Sequence, residues 1–566
     1  MNYDVVITGG TLVDGTGSDA VKGDVAIKDG RIAKVGDIGE VSAARTIDAT
    51  GQTVTPGFVD LHTHLDAQVG WDPELTSSSY HGVTTALIGN CGVGFAPVSE
   101  ENRQYMAKLM ESVEDIAAEA ILDGLPWNWT DYGGYLDSIQ ALKPALNMVG
   151  LAGHSAIRFE AMGDKSMDKD VQADDRELAE IVRMVKESVE AGAVGFSTSR
   201  FIPHTVPDGR CTPGTWADLR ETGAIQQAVV EAGGVGSLFQ SANDFQTRMD
   251  TELKMFEQGA DLGCQILFSG GTGAQGDGGV SRWSDFFNRH NQGGKRVSGI
   301  CHTRPSGAFF GLAQLSPFTK ESEAWGQLMA LPTLSDRVDA LRDPNTRAKL
   351  IKEGKEIGHL SRMASMLHPF GMGETPDLDF DRKSSLQQLA DAEGRDPVEV
   401  YVERLLASEG RELFNYWAFG GALENQWQYM QLPHVIPMLG DAGAHVGIFT
   451  DTDSPTVLLS ELTRKHGVYT LPEAIHKITQ QSADVLGLKD RGVLKEGNVA
   501  DINVIDYDRL STHHPEYVND FPHGGGRFIV KSTGYTATLV AGQVVVENCV
   551  HTGQRPGSVI REFARG

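Results

Sequence analysis

The sequence is poor in basic residues, in paired cysteines and in long apolar runs, and each shortage excludes something. Lysine and arginine number 49 against 76 aspartates and glutamates, a formal net charge of −27. A chain this acidic repels nucleic acid and anionic membrane surfaces, which recruit basic patches. Neither is expected as a partner. No apolar run approaches the roughly 20 residues that span a bilayer. The start, Met1-Asn2-Tyr3-Asp4-Val5-Val6-Ile7, shows no basic stretch leading into an apolar core, so no signal peptide is read and a cytoplasmic location is expected. The five cysteines, Cys91, Cys211, Cys264, Cys301 and Cys549, have no paired spacing, which points to a reducing compartment rather than a disulfide framework. Low-complexity segments and internal repeats are missing as well.

What is present suffices for a large core and an accessory domain: 566 residues, 40% hydrophobic and 22% charged. Residues 4–54 alternate short apolar runs with glycine turns, including Asp29-Gly30 between two such runs, a hairpin signal. Strand-like runs return at Ala500–Asp506 and Tyr535–Val546. Residues 1–56 and 489–566 are therefore expected to pair into one small β-sandwich. Between them, strand-like runs alternate with helical stretches, the pattern of βα units around a parallel sheet. Eight runs qualify: Gly57–Leu61, Val83–Ile88, Asn147–Leu151, Ala193–Phe196, Gly234–Phe239, Gln265–Phe268, Arg296–Ile300 and Val435–Leu439. Eight imply an α/β chain with a (β/α)8 TIM barrel over 57–488, whose chemistry sits at the C-terminal strand ends. The one long gap, about 130 residues before the last strand, holds helical stretches at Ser384–Glu393 and Pro397–Ser408. It is expected to be an insertion at about 305–430 that lies over the site. A further helix is expected from Leu471 to about Leu486, with Gly487 as its C-cap.

The run Thr55-Pro56-Gly57-Phe58-Val59-Asp60-Leu61-His62-Thr63-His64 ends in two histidines one residue apart. On a strand the two share a face, where a pair of imidazoles can grip one metal ion. Alone, a His-x-His is as readily a solvated strand end. In a closed barrel, however, strands eight, one and two are neighbours. Cys91 of Gly89-Asn90-Cys91-Gly92 and Asp441 of Gly440-Asp441-Ala442-Gly443 then reach the same side of the mouth. Singly, Cys91 reads as a small buried apolar residue and Asp441 as a helix N-cap. Together, His62, His64, Cys91 and Asp441 are ligands suited to zinc.

Three runs carry a resemblance to the amidohydrolase superfamily: Gly57 to His64, Gly89 to Gly92, and the closing Asp490-Arg491-Gly492-Val493-Leu494-Lys495-Glu496-Gly497-Asn498-Val499-Ala500-Asp501. The Cys91 segment and Gly153-His154-Ser155-Ala156-Ile157-Arg158 resemble its D-aminoacylase (N-acyl-D-amino-acid deacylase) branch. The resemblance covers nearly the whole chain and implies a zinc hydrolase on a (β/α)8 barrel with a terminal β-sandwich. The family usually places histidines at the ends of strands five and six. Here those ends read Leu238-Phe239-Gln240-Ser241 and Leu267-Phe268-Ser269-Gly270-Gly271, and strand four ends in Phe196-Ser197-Thr198-Ser199-Arg200 without a lysine. One zinc ion per chain is therefore expected rather than two.

Smaller expectations attach to other strand ends. His154 is placed to meet a substrate carbonyl, and Gln240 is a further substrate contact. Arg304, or Arg200, could anchor an anionic group. His445 packs beneath the insertion. Gly270-Gly271-Thr272-Gly273 resembles a phosphate loop, but no Lys-Ser/Thr pair follows, which argues against a nucleotide. The activity expected is cleavage of a non-peptide amide in a small molecule, with N-acyl amino acids as the implied class. His62, His64 and Asp441 hold zinc, Cys91 completes or flanks the shell, and Asp441 carries the proton of the activated water to the leaving nitrogen. Assembly into a homo-oligomer is left open. Two rivals stand beside this reading: a metal-dependent lyase or decarboxylase on the same barrel, and a non-catalytic binding protein that has lost its metal.

Overall fold

The computed structural model describes residues 2–271, 278–357, 363–371, 376–378, 384–421 and 423–565. Its centre is a parallel sheet of β1 (Phe58–Asp60), β2 (Val83–Ile88), β3 (Asn147–Gly153), β4 (Gly195–Ser199), β5 (Leu238–Ala242), β6 (Gln265–Ser269), β7 (Arg296–Ile300) and β8 (Val435–Ile436). Neighbours in the sheet follow chain order from β1 to β8, and Val559–Ile560 adds a strand beside β3. Just past their ends β1 and β8 approach each other, where Thr63 bridges Ala442 in parallel. The His64 N–H donates to the Ala442 carbonyl at 2.7 Å. This is the strand order of a (β/α)8 barrel. Every residue of β2, β3, β4 and β5 is buried, because helices cover one face of such a sheet and its own side chains fill the other.

Six of the eight strands differ in extent from the expectation, the first, third and sixth by one or two residues at an end and three others for evident local reasons. The fourth begins at Gly195 rather than Ala193, since the Ala193 N–H still closes the preceding helix onto the Ser188 carbonyl. The fifth begins at Leu238 rather than Gly234, because Gly234 and Gly236 take φ of 86° and 89°, a glycine turn that no strand accommodates. The eighth stops at Ile436, where Pro437 has no N–H to extend the ladder.

The helices carry their own start signals. Asp174 caps Asp175–Glu190 in a reciprocal box with Glu177, and Asp218 caps Leu219–Gly233. Between β6 and β7, Trp283, Phe286 and Phe287 pack on Phe268, with ring centroids 5.0 to 6.4 Å apart. Burying each such ring contributes about 1.5–3 kcal/mol. The stretch from Leu471 to Leu486 is one helical rod with a π-helical turn at Lys477–Gln481, and Gly487 ends it at φ 71°.

Strands from both ends of the chain meet in a second sheet, where Thr53–Pro56 pairs antiparallel with Ile502–Ile505. Polar contacts fasten this sheet to the barrel. Asn503 donates to the Gly82 carbonyl at 2.8 Å, and Asn147 of β3 donates to Asp501 at 3.0 Å. Asp501, from the closing motif, also pairs with Arg491. The long segment before β8 holds helices at Leu386–Glu393 and Pro397–Ala407 and an apolar cluster of its own, including Phe318, Trp325 and Tyr401. Thr272 and Gly273 of the glycine-rich loop lie outside the described residues.

Candidate metal centre

The chain is built so that the ends of β1, β2 and β8 share hydrogen bonds. Thr63 donates through its N–H and its hydroxyl to the Leu87 carbonyl of β2, while the His64 N–H bonds to the segment after β8. His62 and His64, on either side of Thr63, therefore face inward beside both neighbours. The loop after β8 crosses the His64 backbone so closely that a Cβ on Gly443 would lie 2.4 Å from the His64 carbonyl oxygen. Only glycine fits there, at φ 87°.

Four donor atoms converge at this point. His62 Nε2 lies 3.3 Å from Cys91 Sγ and 3.2 Å from Asp441 Oδ1, and His64 Nε2 lies 3.5 Å from the same Oδ1. Donor atoms of His62, His64 and Cys91 all fall within 4.8 Å of one another. Donors bound 2.0–2.3 Å from a tetrahedral zinc stand roughly 3.3–3.8 Å apart, close to these three contacts, and the residues offer the N, N, S, O chemistry of such a site. The group within 4.8 Å is His62, His64 and Cys91, with Asp441 beside the two imidazoles. His62, His64 and Cys91 are buried, whereas the Asp441 side chain keeps 17% exposure. Asp441 is the open side of the cluster. A cavity of about 20 Å3 touches it, lined also by Gln68, Ser77, Gly443, Ala444 and Arg527. That is room for one water.

Both Cys91 and Asp441 hold left-handed backbone, at φ 55° and 48°. Such strain in non-glycine residues costs about 1–2 kcal/mol each and persists where the surroundings impose it. For Cys91 the clamp is visible. Its N–H donates to Gln240 Oε1 at 3.1 Å, and the Gly92 N–H donates to Ser197 Oγ at 3.0 Å. The neutral residue at the end of β5 thus fixes the turn that presents the thiol.

Charge in the cluster is strongly coupled. Burial favours neutral imidazole, but the Cys91 and Asp441 anions prevail and push the His62 pKa up to about 10. Burial likewise works against charge on His64, yet Glu114, Asp441 and Cys91 hold its pKa well above the usual range. Burial raises Cys91 and Asp441, and the two histidines pull both down, Asp441 well below an ordinary carboxylate. Asp60, whose Oδ1 accepts the His62 N–H at 3.0 Å, is raised by burial to about 7. The protons on His62 and His64 carry the same charge as one divalent ion, so exchanging them for it leaves the cluster's net charge unchanged. Zinc uptake by metal-free protein at pH 7–8 is therefore expected to release protons, those of the two imidazoles among them. Affinity should rise up to about a hundredfold per pH unit below the His62 pKa, because both imidazoles must be neutral to bind. Calorimetry in buffers of different ionisation enthalpy reads the release. Uptake without any release would contradict this charge assignment.

Other residues expected at the site have different partners. His154 is fully buried, with Nδ1 2.8 Å from Thr198 Oγ1 and Nε2 2.9 Å from Glu221 Oε1, and neither nitrogen is left for a substrate carbonyl. Arg158 donates to the same Glu221 oxygen, so the Gly153–Arg158 motif closes on a buried carboxylate. Arg304 is buried between Asp451 at 2.9 Å and Asp453 at 3.2 Å, and Arg200 pairs with Glu252 at 2.8 Å. Neither guanidinium is free to anchor an anionic group. Gln240 Nε2 has no partner among the described residues. The sequence reading missed Glu114, whose Oε1 lies 3.0 Å from His64 Nδ1 in full burial. Burial raises its pKa but His64 more than offsets this. No strand-end position signals it, since it closes the helix Arg103–Glu114 in the connection between β2 and β3.

The profile of the amidohydrolase family matches residues 45–277 and 339–546. The chain belongs to the amidohydrolase family. Within it, the chain is similar to N-acyl-D-glutamate deacylase of Alcaligenes xylosoxydans xylosoxydans, 26% identical over 569 residues that cover 99% of this chain and 97% of that one. Among solved structures it is similar to N-acyl-D-glutamate deacylase from Bordetella bronchiseptica, described in complex with zinc and a phosphonate mimic of the tetrahedral intermediate. That likeness has a TM-score of 0.67 at 23% identity, covering 99% of this chain and all of the other. A D-aminoacylase described as having a binuclear metal centre, with one-metal activation and second-metal attenuation, superposes with a TM-score of 0.66 at 21% identity and the same coverage. Beyond the family, these relatives show a likeness to deacylases of N-acyl-D-amino acids, and the solved structures show the shared fold.

Proposed function

We propose that this amidohydrolase is a mononuclear zinc enzyme that hydrolyses the amide of an N-acyl amino acid, giving a carboxylic acid and the free amino acid. The observation that carries the reading is the convergence of His62 Nε2, His64 Nε2, Cys91 Sγ and Asp441 Oδ1 at the open ends of β1, β2 and β8. The relatives named as deacylases support the substrate class, and the zinc complex of one of them supports the metal. Gln240 and Ser241 at the end of β5, in place of histidines, support one ion rather than two. A zinc ion held there supplies Lewis acidity and lowers the pKa of a water toward neutrality.

The protein's own part is to position and to move protons. His62, His64 and Cys91, all buried, fix the donor set from below. Asp441, exposed toward the water-sized cavity, orients the attacking water and accepts its proton as the carbon–oxygen bond forms. It then returns that proton to the nitrogen as the carbon–nitrogen bond breaks, so the leaving group departs as a neutral amine. In this reading, the terminal sheet forms a separate β domain, and the segment at about 305–430 covers the barrel mouth.

Elemental analysis together with a panel of N-acyl-D- and N-acyl-L-amino acids tests the proposal. About one zinc per chain is expected, with acid and amine appearing in equal amounts. Release of carbon dioxide would favour a decarboxylase instead, and two tightly held ions per chain would overturn the mononuclear reading.

A further inference from the structure

We propose that Glu114 is a positioning residue that sets the tautomer and ring orientation of His64 and thereby the metal affinity of the site, an inference that rests on the zinc site proposed above. Two features make Glu114 hard to explain as packing. It is a carboxylate with 1% side-chain exposure, and among the described residues its one ionic partner is His64, at 3.0 Å, a contact that lacks hydrogen-bond alignment in this structure. It is also the last residue of the helix Arg103–Glu114, the end at which the helix dipole disfavours an anion. A buried, lone carboxylate at a helix C-terminus runs against solvation and dipole alike. What offsets both is His64 Nδ1, 3.0 Å from Oε1.

The consequence for His64 is directional. With the proton on Nδ1, the ring nitrogen nearest Glu114, the lone pair of Nε2 is left for the side of Asp441 and the donor cluster. A carboxylate behind a ligand histidine fixes the ring and makes it a better donor. The helix end serves the opposite ligand too. The Glu114 carbonyl accepts the Val446 N–H at 3.3 Å, and Asp115, at φ 59°, turns the chain away immediately afterwards. One residue thus braces His64 with its side chain and the loop bearing Asp441 with its backbone.

The test uses the full-length chain loaded with zinc. Glu114→Gln keeps the size and an acceptor oxygen but loses the charge, and is expected to weaken zinc binding about 10- to 100-fold in competition with a chromophoric chelator. Glu114→Met, with no acceptor, should weaken it further. Nitrogen-15 spectra of zinc-loaded wild type, which need no variant to fold, should show the His64 proton on Nδ1. Unchanged zinc affinity in folded Glu114→Gln, or a His64 that binds zinc through Nδ1, would overturn the inference. Wild type that binds no zinc would instead overturn the proposed function.

Discussion

Replacing His62 and His64 together with alanine is expected to lower zinc affinity by about 10⁴-fold and to abolish turnover. Structural zinc sites bind with about 10–16 kcal/mol, so each of four donors contributes about 3 kcal/mol, or a factor near 10². Two donors lost together give the larger figure. Both side chains are buried, so the substitution also leaves a cavity and strands Glu114 and Asp441 without their cationic partners. Some loss of stability is thus expected, but the barrel strands make no use of either imidazole. The result to look for is a protein with native circular dichroism and no retained zinc. A double variant that kept one tightly bound ion would mean that the metal sits elsewhere. A variant with metal lost and turnover intact would mean that the ion is not catalytic.

Much of this arrangement is legible in the sequence because barrel topology converts distance in sequence into adjacency in space. His62, Cys91 and Asp441 are far apart along the chain, yet β1 pairs with β2 and approaches β8 just past their ends, and these ends carry all four converging side chains. Strand patterning needed only apolar runs bounded by turns. Its larger errors have local causes: left-handed Gly234 and Gly236 before β5, Pro437 after β8, and the helix end that still holds Ala193 before β4.

What stayed hidden shares a different cause. A charged residue's role depends on which buried partner it meets, and no local pattern encodes that. Arg304 and Arg200 stand past strand ends, where substrate anchors are found, but Asp451, Asp453 and Glu252 neutralise them inside the protein. His154 likewise opens a helix at the mouth and is held by Glu221 from the helix Leu219–Gly233. Glu114 is the converse case, a glutamate in an ordinary amphipathic helix whose partner is a candidate ligand. Gln240, expected as a substrate contact in place of a histidine, accepts the Cys91 N–H through its Oε1.

Asp441→Asn is expected to cost at least about 10²–10⁴-fold in turnover while leaving the fold and substrate binding in place. The backbone argument makes asparagine the informative replacement. Asp441 sits at φ 48°, a conformation that asparagine tolerates and alanine resists, so the loop keeps its path over His64. The amide retains one oxygen to meet His62 and His64, although neutral, and it cannot take a proton. Zinc affinity falls by one anionic donor's share, which saturating zinc restores, so the assay is run with zinc in excess. The remaining deficit then reports the proton transfer alone. It should appear in kcat, with KM little changed, since the carboxylate works on the water rather than on the acyl group. Turnover near that of wild type under saturating zinc would reduce Asp441 to a ligand and require another base. Asp60, next to the cluster and raised to about 7 by burial, would then be the residue to replace next.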